Sequence, residues 1–320
     1  KLYDNEDIGM EQEKTCCSLS DIEDARSVAV KLGIPYYVFN FKADFKEKVI
    51  DPFIDSYRCG MTPNPCIECN RHLKFTQLHQ KARELQCDVV VTGHYARITK
   101  DEQGYHLLKG KDAAKDQSYV LYSLTQEQLA RTCFPLGEYT KEEIRRMAEE
   151  QGFFNAGKKD SQDICFIPDG DYRRFIEETT GQKSTPGNFV DQEGNVLGIH
   201  KGYYCYTIGQ RRGLGISAPQ SLYVVEIRPE KNEVVLGSNE DLFHSHLTAD
   251  HFNWIEQVGP DEIIKARIRY HKTEKEATVR VLEDNRVEVD FLEQQRAITK
   301  GQAVVLYRGD AVAGGGRIIG

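Results

Sequence analysis

The apolar positions of the chain change period as the sequence advances. Ile22, Ala25, Ala29 and Leu32 recur at helical spacing behind Ser20 and Glu23, which have the spacing of a capping box. Gly33 ends that helix. Pro35 then leads into Tyr36-Tyr-Val-Phe-Asn-Phe41, a continuous apolar run of the kind that forms a buried strand. A second amphipathic stretch covers Phe45 to Ser56. A loop rich in Pro, Gly and Cys spans Cys59 to Asn70, and a helix from about Arg71 to Leu85 sets Phe75, Leu78, Ala82 and Leu85 on one side. Asp88-Val-Val-Val-Thr-Gly93 is the next apolar strand. Helices alternating with continuous apolar strands predict a parallel, doubly wound sheet. Ligands of such sheets sit at the carboxyl ends of strands, so the Cys loop and Thr92-Gly93-His94 are candidates for that edge.

From Tyr95 to Lys109 the pattern is that of a hairpin turning at Glu102-Gln-Gly104. Helices follow at Gln126–Arg131 and Lys141–Gln151, with a short one near Tyr172–Thr179. Beyond about residue 181 the period becomes two and turn residues multiply. Short strands are predicted at Tyr223–Ile227, Glu233–Leu236, Ile263–Tyr270, Ala277–Leu282, Arg286–Phe291, Ala303–Tyr307 and Gly316–Ile319. Regular short strands of this kind predict a small antiparallel β domain and then a barrel.

Composition narrows the picture. The chain has 320 residues, room for two or three domains, and no apolar run that approaches a membrane helix. Its nine cysteines are an odd set in a large chain, which fits thiols in a reducing cytoplasm better than a disulfide framework. With 42 basic and 50 acidic residues the net charge is −8, which argues against a general nucleic-acid binder but leaves room for a local basic face.

Thr62-Pro-Asn-Pro-Cys-Ile-Glu-Cys-Asn70 is the sharpest local feature. Two prolines stiffen a turn that sets Cys66 and Cys69 three apart just before a helix, a place that favours a thiolate. That suits a nucleophile, a metal ligand or half of a zinc site. A complete zinc knuckle would need a second such pair, and the sequence has none. Cys165 lies among Ile164, Phe166 and Ile167, and read locally it is a buried cysteine in a strand. His94 follows a strand and reads as structural or as a group at the ligand edge. Lys115-Asp-Gln-Ser-Tyr119 is either a turn or a hydrogen-bonding surface for a base or phosphate. Thr207–Ile216, with Arg211 and Arg212, and the segment Arg267, Arg269, Tyr270, His271, Lys272 and Lys275 are either solvated strand faces or RNA-contacting stripes.

Taken together, these motifs resemble the tRNA-specific 2-thiouridylases, sulfurtransferases that modify the wobble uridine. The resemblance rests on Gly60-Met-Thr-Pro-Asn-Pro-Cys-Ile-Glu-Cys-Asn-Arg-His-Leu-Lys-Phe75, Thr92-Gly-His-Tyr-Ala-Arg97, Lys115–Tyr119, Ser161-Gln-Asp-Ile-Cys-Phe166, Tyr206-Thr-Ile-Gly-Gln-Arg-Arg-Gly-Leu-Gly215, Gly301-Gln302 and Gly314-Gly-Gly-Arg-Ile318, and runs from about Cys17 to the end. It implies a Rossmann-like α/β domain of the adenine-nucleotide hydrolase (PP-loop) type over residues 1–168. A small central β domain over 169–240 and a tRNA-contacting β-barrel over 241–320 would follow. It also implies ATP with Mg²⁺ as cosubstrate, a persulfide on Cys165, and Cys69 as the partner thiol that releases the sulfur or closes a disulfide with Cys165. Gly93 would lie near the nucleotide. Asn64, Pro65 and Cys66 would meet the target base, and His94, Asp116, Gln117, Ser118, Arg269, Tyr270 and Gln302 would contact tRNA. A cysteine desulfurase or sulfur relay protein would supply the sulfur, in the cytoplasm and without a membrane.

Two departures from the family pattern matter. Its Ser-Gly-Gly-Val-Asp-Ser nucleotide loop has no counterpart here, so the first strand and PP-loop are expected to be missing and the chain as given to be inactive. Position 66 is Cys where many relatives carry Asp. That makes Cys66, Cys69 and Cys165 an alternative ligand set for a [4Fe–4S] cluster, in place of no metal at all.

Overall fold

The computed structural model describes residues 1–3, 19–153, 156–157 and 164–320. Cys16, Cys17 and the Ser161–Asp163 part of one motif fall outside these. Helix α1 (Leu19–Leu32) forms as expected and ends at Gly33, whose φ of +66° is the usual left-handed stop. Ser20 already lies inside this helix, so it is not the cap. The expected apolar face is mostly uncovered: Ala29 is buried, whereas Leu32 is exposed.

The run at 36–41 is extended but forms no strand among the described residues. The Lys1 amino group donates to the Phe39 carbonyl (2.5 Å) and the Lys1 carbonyl accepts from Phe41 N–H (2.9 Å), the bonding pattern of a parallel bridge. Tyr37 is 60% and Val38 52% exposed, so the expected burial is absent. A parallel strand is buried only where elements cover both its faces, and here a face stands open.

Helix α2 (Lys42–Phe45), a π-helical stretch (Lys46–Ile50) and helix α3 (Asp51–Arg58) run on without a break in αR geometry. Their inner side carries Phe45, Val49, Phe53, Ile54 and Tyr57. A second continuous rod comprises α4 (Pro65–Glu68), a π-helical stretch (Cys69–Gln77) and α5 (Leu78–Glu84). It starts six residues before the expected Arg71, so Cys66 and Cys69 lie within the helix rather than ahead of it. The cause is local. Pro65 occupies the first helical position, where its missing N–H costs nothing, and the Asn64 side chain accepts from Cys66 N–H at 3.2 Å.

Strand β1 (Val90–Val91) is shorter than expected. It pairs in parallel with β4 (Thr132–Cys133), and Val91 is 62% exposed. Strands β2 (Ala96–Asp101) and β3 (Gly104–Lys109) form the expected hairpin. Helices α6 (Gln126–Ala130) and α7 (Lys141–Glu150) each open with a capping box, at Thr125 and Thr140. Helix α8 (Tyr172–Thr180) leads into a four-stranded sheet of β5 (Gly187–Val190), β6 (Val196–His200), β7 (Tyr223–Arg228) and β8 (Glu233–Gly237), in the order β6-β5-β8-β7. The β5–β8 pair is parallel, so this sheet is mixed rather than purely antiparallel.

The last part is a closed barrel. Strands β9 (Phe243–Trp254), β10 (Ile264–Arg267), β11 (Lys275–Val281), β12 (Val287–Arg296), β13 (Ala303–Arg308) and β14 (Ala311–Ile318) pair in the order β13-β10-β11-β12-β9-β14, and β13 pairs with β14 to complete the ring. Hairpin strand β3 is stitched onto it at Leu108–Ala311. Beneath this seam Ile67, Phe75, Tyr119, Leu121, Val305 and Tyr307 share one apolar cluster, so the thiol-bearing rod and the barrel have a common core. Each fully buried side chain of this size contributes about 1.5–3 kcal/mol, enough for a handful to lock the two parts together.

Candidate functional site

Cys69 and Cys165, far apart in sequence, border one apolar cluster. Cys69 opens the π-helical stretch and is 9% exposed, in one apolar cluster with Phe45, Phe53, Leu73 and Phe166. Cys165 packs against the same cluster, half-buried, and its carbonyl accepts a hydrogen bond from the Tyr3 hydroxyl (2.7 Å). Phe166, its neighbour, stands edge-on to Phe45 (5.6 Å) and Phe53 (5.3 Å), which ties the Cys165 segment to α2 and α3. Cys165 itself lies in a turn and is half-buried, so the local expectation of a buried cysteine in a strand is corrected, although its neighbours Ile164 and Phe166 do pack inward.

Cys66 is exposed. It precedes Cys69 by three residues and so lies on the same side of the rod. Burial, then the charges of Asp116 and Cys66, push the Tyr270 hydroxyl up. Among the described residues no three of His, Cys, Asp and Glu gather closely enough to hold a metal ion.

Gly93 follows β1 at the carboxyl end of a parallel strand and is exposed. A Cβ there would meet only Leu136 Cδ1, at 3.5 Å. His94 is different. Its ring is buried between Phe75 and Phe134 (5.7 Å each), with Nδ1 2.7 Å from Thr92 Oγ1 and Nε2 3.4 Å from Lys74 Nζ. Burial, then the Lys74 ammonium, pulls its pKa down to about 3. The imidazole is thus neutral and walled in by the two rings.

Asp116 and Ser118 are likewise inside. The Asp116 carboxylate accepts from Gly110 N–H, Ser118 N–H and Ser118 Oγ (3.1, 3.1 and 2.9 Å), and its carbonyl accepts from the Tyr270 hydroxyl (3.0 Å). Gln117, half-buried, accepts from Tyr95 N–H (3.0 Å). Arg269 points into the seam and donates to the Ile208 and Ala297 carbonyls and to Thr299 Oγ1 (3.2, 3.3 and 2.5 Å). The Gln302 amide donates to the Thr62 carbonyl (2.7 Å) and so holds the barrel against the Cys loop. The side chains of Asp116, Ser118 and Arg269 are thus engaged with other parts of the protein, and Tyr270 and Gln302 are half-buried.

Two features escaped the sequence reading. The first is a cavity of about 910 Å³ between the hairpin and the barrel, whose walls include Arg97, Lys109, Lys111, Lys265, Arg267 and Lys272. Lys109 and Arg267 pair with Glu274, and Arg267 also with Asp116, whereas Lys265 and Lys272 make no ion pair among the described residues. The segment Arg267–Lys272 was its sequence signal, whereas the contribution of Lys109, Lys111 and Lys265 to the same walls was not legible. The second is a charged face on the rod. Glu68 accepts from Arg71 and His72 (3.2 Å each) and lines a smaller cavity of about 340 Å³ with Arg317 and His251 of the barrel. Burial opposes it, but His72, Arg71 and Arg317 together hold the Glu68 carboxyl below its usual range.

Comparison with known proteins agrees with this arrangement. Residues 1–169 match the tRNA methyl transferase HUP domain, 173–238 the tRNA methyl transferase PRC-barrel domain and 244–318 the aminomethyltransferase β-barrel domain. The chain is 50% identical over 319 residues to tRNA-specific 2-thiouridylase MnmA of Lachnoclostridium phytofermentans, covering 99% of this chain and 89% of that protein. It is 51% identical over 310 residues to that of Clostridium botulinum (96% and 86%), and 50% identical over 322 residues to that of Clostridioides difficile (99% and 89%). The HUP match extends over residues 1–169, so the expectation of an inactive chain finds no support there. Among the described residues no helix is long and apolar enough to cross a membrane. With three domain matches in order and half of its residues identical to these relatives, the chain belongs to the tRNA-specific 2-thiouridylase family.

Proposed function

We propose that the protein replaces the 2-oxygen of the tRNA wobble uridine by sulfur, at the expense of ATP bound with Mg²⁺. The observation that carries this reading is that Cys69, on the rod that begins at the Pro-Cys loop, and Cys165, from a distant segment, border one apolar cluster. The relatives' names agree with these thiols, and the label of methyl transfer attached to the family domains does not call for them. In this reading ATP adenylates the uracil 2-oxygen and makes AMP the leaving group, with Gly93 beside the nucleotide. The terminal sulfur of a Cys165 persulfide attacks C2, AMP departs, and the Cys69 thiolate then attacks Cys165 Sγ. The thiocarbonyl is set free and a Cys69–Cys165 disulfide remains.

The half-buried position of Cys165 suits this chemistry, because a persulfide there is shielded from stray oxidants yet one thiol away from its partner. Asn64, Pro65 and Cys66 meet the base, which an anticodon loop can unstack cheaply. Tyr270 and Gln302 border the same edge, and the basic cavity draws the phosphate backbone. The sulfur comes from a persulfide-carrying donor protein, and the reducing cytoplasm keeps the thiols available. Replacement of Cys165 by Ser in the protein supplied with ATP, tRNA and a persulfide donor abolishes 2-thiouridine, read by nucleoside mass spectrometry. Undiminished thiolation refutes the assignment.

A further inference from the structure

We infer that Cys66 is a resolving thiol that carries the spent disulfide from the buried pair to the surface, a step that rests on the persulfide reading above. The reaction leaves Cys69 and Cys165 oxidised. Cys69 is 9% exposed and Cys165 half-buried, in a cluster walled by Phe45, Phe53, Tyr57 and Phe166. A thiol reductant must approach a disulfide sulfur directly, and the Cys69 end of this bridge is the buried one. Cys66 is exposed and reaches the same sulfur from within the molecule.

The geometry permits the exchange. Cys66 belongs to α4, and Cys69, the next residue after α4, keeps helical dihedrals (φ −59°, ψ −46°). Cα atoms three residues apart on a helix are about 5 Å from one another, inside the span that a disulfide bridges. The Cys66 thiolate attacks Cys69 Sγ, the Cys69–Cys165 bond breaks, and Cys165 leaves as a thiolate. One disulfide is exchanged for another, with no net change in oxidation. A small dithiol protein then attacks the exposed Cys66 sulfur and takes the disulfide away, so that Cys66 and Cys69 return as thiols and the dithiol is oxidised. Cys165 is meanwhile free to accept the next sulfur. A carboxylate at this position could not perform the exchange, so the device depends on the Cys66 thiol.

The test needs neither tRNA nor ATP. The full chain is loaded with inorganic polysulfide, which gives Cys165 a sulfane sulfur that Cys69 displaces as sulfide. It is then quenched with an alkylating agent and mapped by mass spectrometry. The wild type is expected to carry a Cys66–Cys69 disulfide with Cys165 alkylated. Cys66→Ser is expected to lose that cross-link and retain Cys69–Cys165. A wild type that holds only Cys69–Cys165 overturns the proposal while leaving the sulfur-transfer reading intact. Failure of both proteins to form any adduct or disulfide at Cys165 overturns the sulfur-transfer reading and, with it, this one.

Discussion

The imidazole of His94 sits behind Phe75 and Phe134, and that position fixes its charge. Its pKa falls to about 3 in the fold, below the ordinary value of 6.5. Between these limits the unfolded chain binds a proton that the native state refuses, so stability rises with pH there and is lost as pH falls from 6.5 towards 3. In His94→Gln the unfolding free energy should lose up to about 1.4 kcal/mol per pH unit of that slope, the share of one proton, in urea titrations from about pH 6.5 downwards. An unchanged slope would mean that the ring is hydrated after all. Arg269 shows how little of a side chain's surroundings the order of residues reveals. Its neighbours Tyr270, His271 and Lys272 made it look like part of a basic stripe, yet its guanidinium faces backbone carbonyls in the seam. Side-chain direction in a short irregular segment after β10 has no signature in the order of residues. The thiols were more legible: the Pro-Cys spacing drew attention to Cys66 and Cys69 unaided, whereas Cys165 needed the family resemblance.

At the level of elements, the meeting of barrel and Cys loop turns on Gly301. Its φ is +88°, and a Cβ there would stand 3.0 Å from both Met61 Cβ and Thr62 N. Thr62 N–H also donates to the Lys300 carbonyl (2.8 Å). Gly301→Ala must therefore either adopt a strained backbone or push the loop away, and should cost more than about 1 kcal/mol in chemical unfolding. Stability equal to wild type would show that the loop yields freely. Strong periodicity made most elements readable: the β2–β3 hairpin, α6, α7 and most of the later strands fell where the pattern put them, to within a few residues. Strand β9 was invisible. Its sequence, Phe-His-Ser-His-Leu-Thr-Ala-Asp-His-Phe-Asn-Trp, buries only Leu247 and Ala249, and pairing with β12 and β14 makes it a strand. The 36–41 run failed in the opposite sense, since apolar residues predict burial only where another element arrives to cover them.

For the molecule as a whole, a net charge of −8 coexists with a cavity whose rim presents Lys265 and Lys272 without ion-pair partners among the described residues. Net charge is a property of the whole chain, and an acidic protein can still engage a polyanion through a local group of cations. Reversal of both lysines to Glu should weaken tRNA binding and reduce the slope of log affinity against log salt by roughly 0.7–0.9 for each phosphate that is no longer neutralised. The same slope in the double variant would place the RNA elsewhere. The seam that forms this cavity also joins the barrel to the rod bearing Cys66 and Cys69, so RNA held there is held relative to the thiols. The central claim is that sulfur passes through Cys165 to uridine. It is tested most directly by measuring 2-thiouridine per tRNA for wild type and Cys165→Ser under the same persulfide donor and ATP. Formation by the wild type and none by the variant is the predicted result, and equal yields from the two proteins would contradict it.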